Sequence, residues 1–163
     1  GEPTLNLEIN RVLYQMNIGI PFVCCFNEPY GIGGHVIVTN LDRGSCLQCL
    51  YTKINASEIT SFKASLVKEE QVFKKNVSGC SGAFVPYSSL DSQQTAILTT
   101  RLVVKVLRGE IEENTIETWI GSCNDLVSNN FKVSEYYNIL CENKENVRVK
   151  FGNKHCMICG EDE

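Results

Sequence analysis

The chain has 163 residues, with 15 Lys and Arg against 19 Asp and Glu for a net charge of -4, and it is 43% hydrophobic and 21% charged. That length suits one domain with its own core, the composition excludes a disordered chain, and no apolar run reaches the roughly 20 residues that a membrane helix needs. With mean hydropathy -0.10 and a pI near 5.3, the basic footprint of a protein bound to nucleic acid or an anionic membrane is missing, so neither is expected as a partner.

The chain opens Gly1-Glu2-Pro3-Thr4, with neither an initiator Met nor a charged-then-apolar leader, which is expected of a piece of something longer. Leu5, Ile9, Val12, Leu13 and Met16 share one helical stripe between Pro3-Thr4 and the stop at Asn17 and Gly19, predicting an amphipathic helix. The apolar runs from Ile20 to Phe26 and from His35 to Thr39 read as core strands joined by a turn-rich loop. In that loop Gly31-Ile32-Gly33-Gly34 lacks the full GxGxxG and precedes a strand instead of opening a helix, so it reads as a turn needing positive φ and not as a phosphate cradle.

From 53 to 79 the charges of Lys63, Lys68, Glu69, Glu70, Lys74 and Lys75 are spaced among scattered apolar positions, which predicts a solvated, partly helical excursion. Ser88-Ser89-Leu90-Asp91 is a helix start, and Ile97, Leu98, Leu102, Val103, Val104, Val106 and Leu107 predict an apolar, central helix stopped at Gly109. Beyond it, Thr115 to Ile120, Phe131 to Tyr136 and Val147 to Phe151 are β-rich pieces between Asn-rich turns, as in an antiparallel meander.

Nine cysteines is an odd count that cannot be fully paired within one chain, so a reducing, cytoplasmic setting fits better than a secreted disulfide scaffold. The triplets Asn55-Ala56-Ser57 and Asn76-Val77-Ser78 match the glycosylation pattern but carry no meaning in that setting. Cys46-Leu47-Gln48-Cys49 and Cys156-Met157-Ile158-Cys159-Gly160 are two CxxC knuckles, enough for the all-sulfur shell of a structural zinc that would clamp the C-terminal tail onto the middle of the fold. His155 is a neighbour of that site and not a ligand. Cys80, in the glycine-flanked Gly79-Cys80-Ser81-Gly82 downstream of Lys74 and Lys75 and before a helix, is the best nucleophile candidate, with a spare loop cysteine as the alternative. Cys24, Cys25, Cys123 and Cys141 read as packed small residues.

Several of these pieces, in order, resemble the ThiF/MoeB/HesA superfamily, the adenylating fold that activates ubiquitin-like and sulfur-carrier proteins. They are Asn10 in the first helix, Gly19-Ile20-Pro21-Phe22-Val23, Gly34-His35-Val36-Ile37-Val38, Ser45-Cys46-Leu47-Gln48-Cys49-Leu50-Tyr51, Cys80 before a helix, and the closing Cys156 to Gly160. The resemblance covers the second half of that adenylation domain. It implies one domain over 1–163, the C-terminal half of a Rossmann-like α/β fold with a mixed sheet, antiparallel C-terminal strands and a zinc clamp, and with 53–79 as a crossover-type loop.

By position, Cys46, Cys49, Cys156 and Cys159 would hold the zinc and Cys80 would accept the carrier as a thioester or related thio-intermediate. The implied partners are a ubiquitin-like or sulfur-carrier protein and the upstream half of the same domain, with homodimerisation also open. ATP and magnesium belong to that upstream half, because the family's nucleotide loop, arginine and lysine lie there. The family's magnesium aspartate would align near Gly1 or Glu2, and a second arginine, one helical turn before Asn10 in the family, would align with Asn6. Phe84 to Asp91 resembles bacterial variants, some of them in antiphage or conjugation systems. The competing expectation is a non-catalytic, zinc-stapled module that binds such a carrier or dimerises.

Overall fold

The computed structural model describes residues 3–54, 59–76, 83–143 and 147–160. Its centre is a four-stranded sheet in the order β1 (Phe22–Asn27), β2 (Gly33–Thr39), β7 (Thr115–Ile120), β8 (Val147–Lys150), with every neighbouring pair antiparallel. The expected mixed sheet is therefore corrected to an antiparallel one among the described strands. The turn between β1 and β2 is too short for the crossover that a parallel pair requires. Its αL residues are Tyr30 (φ 57) and Gly31 (φ 66), in line with the positive-φ reading of the glycine cluster.

Strand β2 is buried along its whole length, as its β-branched run implies. Alternation splits it between two cores. Val36 and Val38 pack with Trp119 against Leu98 and Leu102 of α2 (Ser89–Leu107), while Ile37 joins Cys24, Leu47, Leu50, Ala64 and Ile116 on the other face. Gly34 leaves α2 room to approach, because a Cβ there would collide with Thr95 Oγ1 and the Trp119 indole nitrogen, which are hydrogen-bonded to each other at 2.7 Å. A third core, Ile32, Leu66, Leu126, Tyr137 and Leu140, lies under α3 (Asn124–Ser128) and α4 (Glu135–Asn143).

Helix α2 begins where the sequence places it: Ser88 Oγ accepts the Asp91 N–H at 3.2 Å and the Asp91 carboxylate accepts the Ser88 N–H at 2.6 Å. It is an outer layer and not a central helix, since only Thr95, Leu98 and Leu102 are fully buried and Ile97 and Leu107 face outward. Helix α1 (Pro3–Gln15) also forms as expected, yet the side it buries is different. Leu5 (57% exposed), Ile9 and Val12, with Met16 (65% exposed) just past the helix, face outward, and its one fully buried residue is Asn10.

Two further expectations are corrected. The described part of 53–79 holds no helix; it belongs to the hairpin of β3 (Tyr51–Ile54) and β4 (Ile59–Phe62), followed by turns and the short β5 (Lys75–Asn76), which pairs with β6 (Ala83–Phe84). Thr, Ile, Ser and Phe fit a pleated surface, and that tendency outweighs the charge spacing. Phe131 to Tyr136 is not a strand. Val133 makes an isolated bridge to Val67, and Ser134 Oγ then accepts the Tyr137 N–H at 3.1 Å and caps α4.

Candidate metal centre

The loop after β2 delivers the first knuckle. It is held by Asn114, which is almost fully buried: Oδ1 accepts the Leu41 N–H at 2.9 Å, the Asn114 backbone N–H donates to Asp42 Oδ2 at 2.9 Å, and Nδ2 donates to the Ser45 carbonyl at 2.7 Å. The loop is thereby fixed to the start of β7. Cys46 is extended and Leu47–Leu50 form a 3-10 turn, so the Cys49 N–H donates to the Cys46 carbonyl at 2.9 Å and the Cys46 N–H points at Cys49 Sγ from 3.5 Å.

The second knuckle follows β8. The Cys156 N–H donates to the Asn153 carbonyl at 2.9 Å and the Gly160 N–H to the Cys156 carbonyl at 2.7 Å. Glycine is required at 160: a Cβ would sit 2.6 Å from the Lys154 carbonyl oxygen and 2.9 Å from the Cys156 nitrogen. Tyr14, Phe151 and Ile158 pack around the sulfurs and shield them from water.

The two knuckles meet. Cys46 Sγ lies 3.7 Å from Cys156 Sγ, Cys49 Sγ lies 3.2 Å from Cys159 Sγ, and all four sulfurs fall within 4.8 Å of one another. A tetrahedral zinc with Zn–S bonds of about 2.3 Å needs sulfurs about 3.8 Å apart, so the donor set and its spacing fit a four-thiolate metal ion such as zinc. Among the described residues this is the one cluster of His, Cys, Asp and Glu side chains with ligand spacing, and exposed His155 is not part of it.

The electrostatics point the same way. Cys49 is drawn down to about 5 because it accepts the Cys46 thiol and then the Cys46 N–H, while its partner Cys46 is driven far up by the same hydrogen bond and by burial. Burial, then the hydrogen bond to Cys49, pushes Cys159 up to about 12. Charge held at Cys49 thus discourages ionisation of its neighbours, and a dication is what allows all four sulfurs to be thiolates together.

The other cysteines divide. Cys24 is buried, and burial pushes it up to about 12; Cys25 and Cys123 are half-buried. Cys141 is exposed on α4, which corrects its reading as a packed residue. Cys123 lies between β7 and α3, directly before the helix. Cys80, the nucleophile candidate, lies outside the described residues. Asn114 carried no signal at the sequence level, and Asn10 entered only through the resemblance. A buried Asn is legible as a loop clamp only once the loop it holds is known.

Neither the models of protein families, the curated proteins nor the solved structures contain a match to this chain. Among the described residues no helix is long and apolar enough to cross a membrane.

Proposed function

We propose that the chain is the zinc-clamped, thiol-bearing part of an activating enzyme for a ubiquitin-like or sulfur-carrier protein, the C-terminal half of a Rossmann-like ThiF-type domain. The observation that carries this reading is the meeting of the two CxxC knuckles, with the sulfurs of Cys49 and Cys159 3.2 Å apart. The order of parts supports it. A helix, two strands, the first knuckle, Cys80, a capped helix, antiparallel strands and the second knuckle follow the order of that superfamily.

In the proposed reaction the upstream half adenylates the carrier's C-terminal glycine with ATP and magnesium. The Cys80 thiolate then attacks the glycyl carbonyl carbon, a C–S bond forms, and the C–O bond to AMP breaks with the electron pair leaving on the phosphate. The thiol proton goes to solvent, and no oxidant or reductant is needed. The zinc is structural: Cys46, Cys49, Cys156 and Cys159 hold it, and it ties the chain following β8 to the loop following β2.

One observation favours a second reading, a zinc-stapled interaction module without chemistry. Leu5, Ile9 and Val12 of α1, and Met16 just beyond it, are exposed apolar side chains at helical spacing, which suits docking. A carrier bearing a C-terminal thioester of mercaptoethanesulfonate separates the two, because it bypasses the nucleotide step. The enzyme reading expects a dithiothreitol-sensitive adduct that peptide mapping places on Cys80 and that Cys80→Ala abolishes with zinc content unchanged. An adduct that maps elsewhere, or none across a panel of β-grasp carriers, refutes the enzyme reading and leaves the module.

A further inference from the structure

Asn10 sits where a helix of this composition would normally bury an apolar side chain. It is 4% exposed, and its Oδ1 accepts the backbone N–H of Leu47, inside the first knuckle, at 2.9 Å. That bond fixes the plane of the amide, and it leaves Nδ2 buried with no hydrogen-bond partner. A buried amide donor left unpaired is costly and calls for a partner. The amide lies against the backbone of the first knuckle at Leu47, the residue that directly follows Cys46. A thiol is a weak acceptor, whereas a metal-bound thiolate keeps lone pairs that accept an N–H bond.

We propose that Asn10 is a positioning residue of the metal centre: Oδ1 holds the knuckle backbone through Leu47, and Nδ2 donates to the metal-bound Cys46 thiolate. The buried donor left unpaired by the bond to Leu47 gains its partner when that sulfur is a metal-bound thiolate. Helix α1 is then part of the centre's outer shell, and such partners orient ligands and tune their charge. Cys46 thereby gains a side-chain N–H donor, as Cys49 has the backbone N–H of Cys46 at 3.5 Å, and a thiolate so bonded is less open to electrophiles than one without such a donor.

The role rests on the metal reading of the four sulfurs and is independent of the thioester chemistry of Cys80. The test uses the zinc-loaded chain with two variants. Asn10→Asp keeps the acceptor for Leu47 and removes the donor, and Asn10→Leu removes both without adding charge. The expected results are zinc affinity about 10–100-fold weaker by chelator competition, a cobalt(II)-substituted form whose sulfur-to-metal charge-transfer band moves to lower energy, and faster iodoacetamide labelling confined to Cys46.

A merely structural role would loosen the whole centre and speed labelling at all four cysteines alike, with the band unmoved. If Asn10→Leu does not fold, the side-chain amide resonances of Asn10 in the wild-type chain decide: they shift and exchange more slowly on zinc loading if the role holds. Unmoved resonances, or Asn10→Asp with wild-type affinity, band and labelling, would overturn it. A wild-type chain that takes up no zinc would overturn the metal centre itself.

Discussion

His35 Nε2 lies 3.0 Å from Glu28 Oε1 in the sealed interior, and the same carboxylate oxygen accepts the Leu66 N–H at 3.1 Å. Thr118 Oγ1 occupies the other ring nitrogen at 2.9 Å, while Phe26 and Phe62 pack on the imidazole. Glu28 therefore serves two buried donors from different parts of the fold. Glu28→Ala leaves both groups without their partner and is expected to cost about 1–3 kcal/mol for each, whereas Glu28→Gln keeps an acceptor and costs less. Urea unfolding of the zinc-loaded chain measures both; a loss below about 1 kcal/mol for the alanine variant would show that water replaces the carboxylate.

Purified protein is expected to hold about one zinc per chain, and Gly160→Ala to weaken that binding about tenfold or more. Gly152→Ala is the control, since a Cβ there meets nothing closer than 3.8 Å. Metal analysis and chelator competition separate the two variants, and equal affinities would mean that the second knuckle relaxes around the added methyl.

Alkaline pH should destabilise the fold through Cys24 and Tyr51. Burial raises Cys24 from 9.0 to about 12, and it raises Tyr51 from 10.0 to about 12. Between the unfolded and folded values the unfolded state has lost protons that the folded state retains, so stability is complete below pH 9 and falls as pH rises, by up to about 1.4 kcal/mol per unit for each group. In Cys24→Val the decline in urea midpoint between pH 9 and 10.5 should be shallower by about one proton. An unchanged slope would rule Cys24 out as its source.

Leu5→Lys and Met16→Lys should each change stability by no more than about 0.5 kcal/mol, because both side chains face outward. Thermal melts at matched zinc content test this. A large loss would mean that the stripe is covered in solution by another copy or another segment.

The α1 stripe also shows what the sequence conveyed. Period and caps located the helix, but a 3.6-residue repeat says which residues share a face and not which face the core receives; the knuckle at Leu47 chose Asn10's side. The same limit applies to 131–136, where aromatic residues suggested a strand while Ser134, a helix cap, held the deciding information. The four-cysteine cluster was legible because CxxC spacing is local chemistry, whereas Asn114 was not, because it clamps a loop 69 residues away at Ser45. Between those cases lies the β3–β4 hairpin, where β-branched residues competed with a charge pattern and prevailed.

The 110 residues between Cys46 and Cys156 set an order of events in the cell. At translation rates of about 5–20 residues per second, roughly 5 to 20 seconds separate the emergence of the first knuckle from that of the second. For that interval the nascent chain offers Cys46 and Cys49 as an unfinished pair, able to hold a metal loosely and to lose it again. Durable capture waits until Cys156 and Cys159 have left the ribosome and β8 has found the edge of β7. On the metal reading of the four sulfurs, a shortage of metal would be felt first by newly made chains, before those already closed.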